Sequence, residues 1–111
     1  MGTRNTGELL QGTLPLLILR VLQSGPNHGF AIAKRIQQIS NEVIRVEEGS
    51  LYPALHRMEL EGWIAAEWGT TESNRTAKYY ELTRTGRKQL KLEVDRWDAM
   101  AAAMATILKE A

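Results

Sequence analysis

Residues 64–82 read I-A-A-E-W-G-T-T-E-S-N-R-T-A-K-Y-Y-E-L. Two short runs with aromatic content, residues 64–68 and 78–82, flank the polar, turn-rich stretch G-T-T-E-S-N-R-T-A. That pattern predicts a β-hairpin with a long tip. A lone hairpin is marginal in water, so this one needs a second layer to lean on. Trp63, Ile64, Tyr80 and Leu82 supply apolar side chains for that contact.

Upstream, the period is helical. Thr13 is placed to cap a first helix running to about Gln23, with Pro15 in its first turn and Ser24-Gly25-Pro26 as its stop. Asn27 is a cap candidate for a second helix, His28 to Ser40, with Ile32, Ile36 and Ile39 on one stripe and Lys34-Arg35 off it. Residues 41–49 connect to a third helix, with Val43, Ile44 and Val46 available to pack inward. Downstream, Thr83 caps a last helix continuing to about Glu110. Helix, helix, helix, hairpin, helix predicts a mostly α fold with a small β-hairpin: a winged helix-turn-helix plus a long C-terminal dimerisation helix. The expected division is a loose N-terminal arm over 1–8, the winged helix-turn-helix over 9–82, and the C-terminal helix over 83–111.

A chain of 111 residues with 43% hydrophobic and 24% charged content fits one globular domain. Its formal net charge of +1 gives no global sign of a polyanion partner. Distribution says more: between Thr70 and Lys91 six basic residues face two acidic ones, a local net of +4. Without cysteine there is no disulfide or thiolate chemistry, which fits a reducing, cytoplasmic setting. The apolar run Leu14–Leu22 is too short to span a bilayer and contains Arg20, so no membrane association is expected. His28 and His56 lack a ligand pattern, no nucleophile–base–acid set stands out, and no phosphate-cradling glycine loop occurs. No enzyme activity, metal or cofactor is expected.

The stretch E-G-S-L-Y-P-A-L-H-R-M-E-L-E-G (48–62) predicts a third helix from about Leu51 to Glu61, with Ser50 placed as the cap, Leu51, Tyr52 and Pro53 as the first turn and Gly62 as the stop. A proline there costs little, because first-turn N–H groups have no helical partner. Leu51, Leu55 and Met58 share the inward face, leaving Tyr52, Pro53, His56 and Arg57 outward within one turn. In helix-turn-helix proteins this part of the helix meets base edges and phosphates, with hydroxyls positioning on phosphate and arginine reading guanine. Read alone, the face fits an ordinary solvated surface equally well. Arg75 and Lys78, on or beside the hairpin tip, turn the reading toward nucleic acid. A winged-helix module that binds protein is the alternative, kept open by the near-neutral net charge.

Leu90, Val94, Trp97, Ala101, Met104 and Leu108 form a heptad-like seam along the last helix. At 1.5 Å per residue that helix is about 39 Å long, more than so small a domain can cover. The surplus predicts a homodimer. Trp97 is either a packing anchor or one wall of a pocket for a flat aromatic ligand.

Together G-T-L-P-L-L-I-L (12–19), H-G-F-A-I-A-K-R-I (28–36), E-G-S-L-Y-P-A-L-H-R-M-E-L-E-G-W-I (48–64) and K-Y-Y-E-L-T-R-T-G (78–86) resemble the PadR family of bacterial transcription regulators. The likeness covers about residues 9–108, and the short length resembles the subgroup with a single C-terminal helix. It implies winged-helix homodimers joined through that helix, often against the partner's first helix. It further implies repression at inverted-repeat operators, with release by small aromatic effectors in some members. Positions matching the family's DNA contacts are Ser50, Tyr52, Pro53 and His56, with Lys34 and Lys78 at matching basic positions. Arg57 and Arg75 are added here from exposure and charge. Phe30-Ala31 departs from the tyrosine and acidic residue that many relatives carry after His-Gly.

Overall fold

The computed structural model describes residues 2–110, with side chains from Gly12 onward. Its elements are α1 (Gly2–Leu22), β1 (Asn27–His28), α2 (Gly29–Ile39), α3 (Glu48–Leu60), β2 (Ile64–Thr70), β3 (Thr76–Leu82) and α4 (Arg84–Glu110). The two end residues of the expected arm and C-terminal segment, Met1 and Ala111, lie outside the described residues.

Ile18, Leu19, Ile32, Leu51, Leu55 and Met58, from the three N-terminal helices, are essentially inaccessible. Ile64, Tyr80 and Leu82 close the core from the sheet and Leu90 from α4. Helical α1 starts at Gly2, ahead of the expected cap at Thr13, so Pro15 lies within the helix. An interior proline costs about 3 kcal/mol. Burial of Leu14, Ile18, Leu19 and Leu22 offsets this, at roughly 1.5–3 kcal/mol for each fully buried aliphatic side chain.

The sheet has three strands in the order β1-β3-β2, all antiparallel. The hairpin register runs from Ile64 opposite Leu82 to Thr70 opposite Thr76. Asn27 and His28, expected to start a helix, instead pair with Tyr80 and Tyr79 as an edge strand. His28, not Asn27, is the α2 N-cap, its Nδ1 accepting from the Ala31 N–H at 3.4 Å. Its ring meets Tyr79 edge-on at 5.4 Å. In the connector after α2, Ile44 and Val46 pack on the core, but Val43 and the last residue of α2, Ile39, are exposed.

Gly62 ends α3 with φ +79, a left-handed conformation that suits glycine. The Gly62 N–H bonds the Glu59 carbonyl and the Trp63 N–H bonds the Met58 carbonyl, both at 3.0 Å, which is the Schellman pattern. Thr83 joins the hairpin to α4: its hydroxyl accepts from the Gly86 N–H at 3.0 Å and donates to the Gly62 carbonyl at 2.6 Å. From there α4 runs for 27 residues, about 40 Å. The radius of gyration, 15.1 Å, exceeds the about 13 Å of a compact chain near this length. Much of α4 extends past the core.

Candidate nucleic-acid interface

Helix α3 begins three residues before the sequence-based expectation, at Glu48 rather than Leu51. Glu47 is the N-cap residue without a side-chain cap bond, and the Ser50 and Leu51 N–H groups both bond its carbonyl. Ser50 therefore belongs to the first turn and caps nothing. Glu48 in that turn is favourable at the positive end of the helix dipole. Pro53 becomes the sixth helical residue, beyond the free N–H groups, and its ring nitrogen leaves the Gly49 carbonyl without its helical donor. The faces of α3 are as expected: Leu51, Leu55 and Met58 are buried, while Ser50, Tyr52, Pro53, His56 and Arg57 are exposed.

The hairpin tip is residues 71–75. The Thr71 N–H bonds the Arg75 carbonyl at 2.8 Å, the Asn74 N–H bonds the Thr71 carbonyl at 2.9 Å, and the Thr71 hydroxyl accepts from the Arg75 N–H at 3.2 Å. Asn74 takes the left-handed conformation, φ 63, that the turn requires. The loop is thus cross-braced, and Arg75 is exposed on it with no ion-pair partner among the described residues.

Between the hairpin and the helices runs one open groove. Tyr52 from α3, Phe30 from α2, and Trp68, Arg75, Lys78 and Tyr80 from the hairpin line it. It gathers three of the expected DNA contacts, Tyr52, Arg75 and Lys78. Lys34, Ser50, Pro53, His56 and Arg57 are exposed but outside it; Lys34 lies over the Phe30 ring at 5.8 Å.

Residues 18–92 match the sequence profile of the transcriptional regulator PadR-like family. The chain belongs to that family. Among solved structures it is similar to a PadR family transcriptional regulator of Eggerthella lenta, with TM-score 0.81, 29% identity, and coverage of 98% of this chain and 93% of that one. A transcriptional regulator of Clostridium thermocellum also superposes at TM-score 0.81, with 27% identity over 89% of this chain and 96% of that one. A transcriptional regulator of Mycobacterium tuberculosis is 32% identical over 83 residues, 75% of this chain and 74% of that protein. The chain is therefore a DNA-binding transcription regulator of the winged-helix type, not an enzyme.

The hairpin is the wing of the winged helix, and a specific contact ties it to α3. Lys78 lies midway along the wing, opposite Trp68, and its Nζ is 3.1 Å from Glu59 Oε1 of α3. The hydrogen bond to Glu59 raises the Lys78 pKa above its ordinary value, against a smaller opposing effect of desolvation. Burial raises that of the Tyr80 phenol beside it. The Lys78 charge is thus matched by Glu59 in the free protein, leaving Arg75 as the groove's unpaired cation among the described residues. Phe30, which the sequence marks only as a departure from the family pattern, and Trp68 join the groove through the fold; strand alternation, which puts Trp68 on the face of Ile64, is the sequence signal for the latter.

Along α4, Leu90 is in the chain's own core, so the uncovered seam starts later than expected. Val94 and Ala101 are half-buried, Trp97 is 48% exposed, Met104 52% and Leu108 79%, and Met100 and Ile107 widen the strip. Among the described residues there is no cluster of potential metal ligands and no helix long and apolar enough to cross a membrane.

Proposed function

We propose that this PadR-like regulator is a cytoplasmic homodimeric repressor that binds an inverted-repeat operator through α3 and the wing. The observation that carries the DNA-facing assignment is the shared groove: Tyr52 from the recognition helix and the unpaired Arg75 from the wing open onto one surface. A phenol hydroxyl and a guanidinium there suit adjacent phosphates, while Ser50, Pro53, His56 and Arg57 present the outer face of α3 to base edges. Lys34 adds a cation from α2. Residues 9–82 serve as the DNA-binding unit and 83–111 as the dimerisation helix, with Val94, Trp97, Ala101, Met104 and Leu108 meeting a second copy. Half-exposed Trp97 on that seam suits a small aromatic effector held between protomers, whose binding would release the operator.

Tyr52→Ala and Arg75→Ala should each weaken duplex binding about tenfold in a gel-shift series while leaving the dimer intact. Arg75→Ala should also flatten the salt dependence by about one counterion per protomer. Unchanged affinity for both variants would remove DNA from this face and leave protein binding as the better account of it.

A further inference from the structure

Gly29, the first residue of α2, is buried, and its φ is not in the left-handed range. An L side chain could adopt that backbone, so the reason for a glycine must be space. A methyl carbon built on Gly29 would lie 2.8 Å from Tyr52 Cε1, 3.0 Å from its Oη and 3.1 Å from its Cζ. All three, the nearest atoms to that position, belong to the distal end of the phenol. The Tyr52 ring rests against the bare backbone of Gly29 and is 43% exposed.

The seat is also tied to the wing. His28, directly before Gly29, pairs with Tyr79 in the sheet and caps α2 through its ring. One short segment therefore fixes the start of α2, the edge of the wing and the position of the Tyr52 hydroxyl.

We propose that Gly29 is a positioning residue for DNA binding: the absence of a side chain there sets where the Tyr52 hydroxyl stands in the groove. The proposal rests on the DNA-facing reading of Tyr52. A Gly29→Ala methyl pushes the phenol out of its seat, and because the displaced atoms end a rotatable side chain, the fold gives little. Binding and stability should therefore separate.

The test is a double-mutant cycle of Gly29→Ala and Tyr52→Ala, read by anisotropy of a labelled mixed-sequence duplex at low salt and by urea unfolding. Expected for Gly29→Ala is a loss of affinity close to that of Tyr52→Ala, about tenfold, with little change in the urea midpoint. In the Tyr52→Ala background the same substitution should cost no further affinity, and any stability it cost alone should return. A penalty that persists in that background, in affinity or stability, overturns the positioning role, as does full affinity of Gly29→Ala alone. No loss with Tyr52→Ala overturns the groove reading and the proposal with it, whereas a loss confined to Tyr52→Ala overturns the positioning role only.

Discussion

Gly86→Ala should lower the unfolding free energy by about 3 kcal/mol, the upper end for forced overpacking, and shift the urea midpoint accordingly. Gly86 is the third residue of α4 and is buried. A methyl carbon there would collide with the Trp63 carbonyl oxygen, lie 2.9 Å from the carbonyl carbon, and lie 3.3 Å from Leu82 Cδ2. Unlike the Tyr52 phenol over Gly29, the Trp63 carbonyl cannot swing aside. It accepts from the Thr83 N–H at 3.1 Å, in the junction that docks α4 against the wing base. Relief requires α4 to move off, which would loosen Leu82 and Leu90 in the core. Gly49 is the internal control: nothing lies within 4 Å of a methyl carbon there, so alanine should be tolerated. Equal tolerance at Gly86 would show that the α4 junction is looser than its geometry implies.

Replacing Val94 and Met104 together by aspartate should convert the protein, by light scattering, from twice the 12.5 kDa chain mass to the chain mass itself. The exposed strip of Trp97, Met100, Met104, Ile107 and Leu108 is more apolar surface than one chain covers. Burying a Met or Leu side chain contributes roughly 1.5–3 kcal/mol, while an unpaired carboxylate in the same place costs several kcal/mol. Met104 lies clear of the core and Val94 packs only against its edge, so circular dichroism of the variant should show a retained fold beside the light-scattering result. DNA affinity should drop by roughly a hundredfold or more, because two half-sites would no longer be engaged as one event. A persistent dimer would refute this seam.

The helical period was plain in the sequence wherever a face was buried. Leu51, Leu55 and Met58 read inward and are buried, and Gly62 and Thr83 end and begin helices as their chemistry suggests. Helix starts were harder. Serine before Leu-Tyr-Pro is a strong capping signal, yet Glu48 and Gly49 are already helical, so Ser50 and Pro53 lie about a turn further in. The strand at Asn27–His28 has two residues and no period to detect; its partner is set by tertiary packing. Tyr52, Arg75 and Lys78 were legible as polar residues on predicted elements, but their meeting in one groove depends on how the wing folds back on α3. The Lys78–Glu59 pair, nineteen residues apart in sequence, was invisible for the same reason. Leu90 fitted the heptad and still belongs to the chain's own core, because the first turns of α4 pack on the domain before the helix leaves it.

The most direct test of the central claim is selection of bound sequences from a random duplex pool by the intact protein. Two recognition helices related by a two-fold axis should enrich an inverted repeat with half-site centres about 10–10.5 base pairs, one helical turn, or a multiple of that apart. Recovery of no preferred sequence, or of a single asymmetric half-site, would contradict a homodimer reading DNA through α3 and the wing.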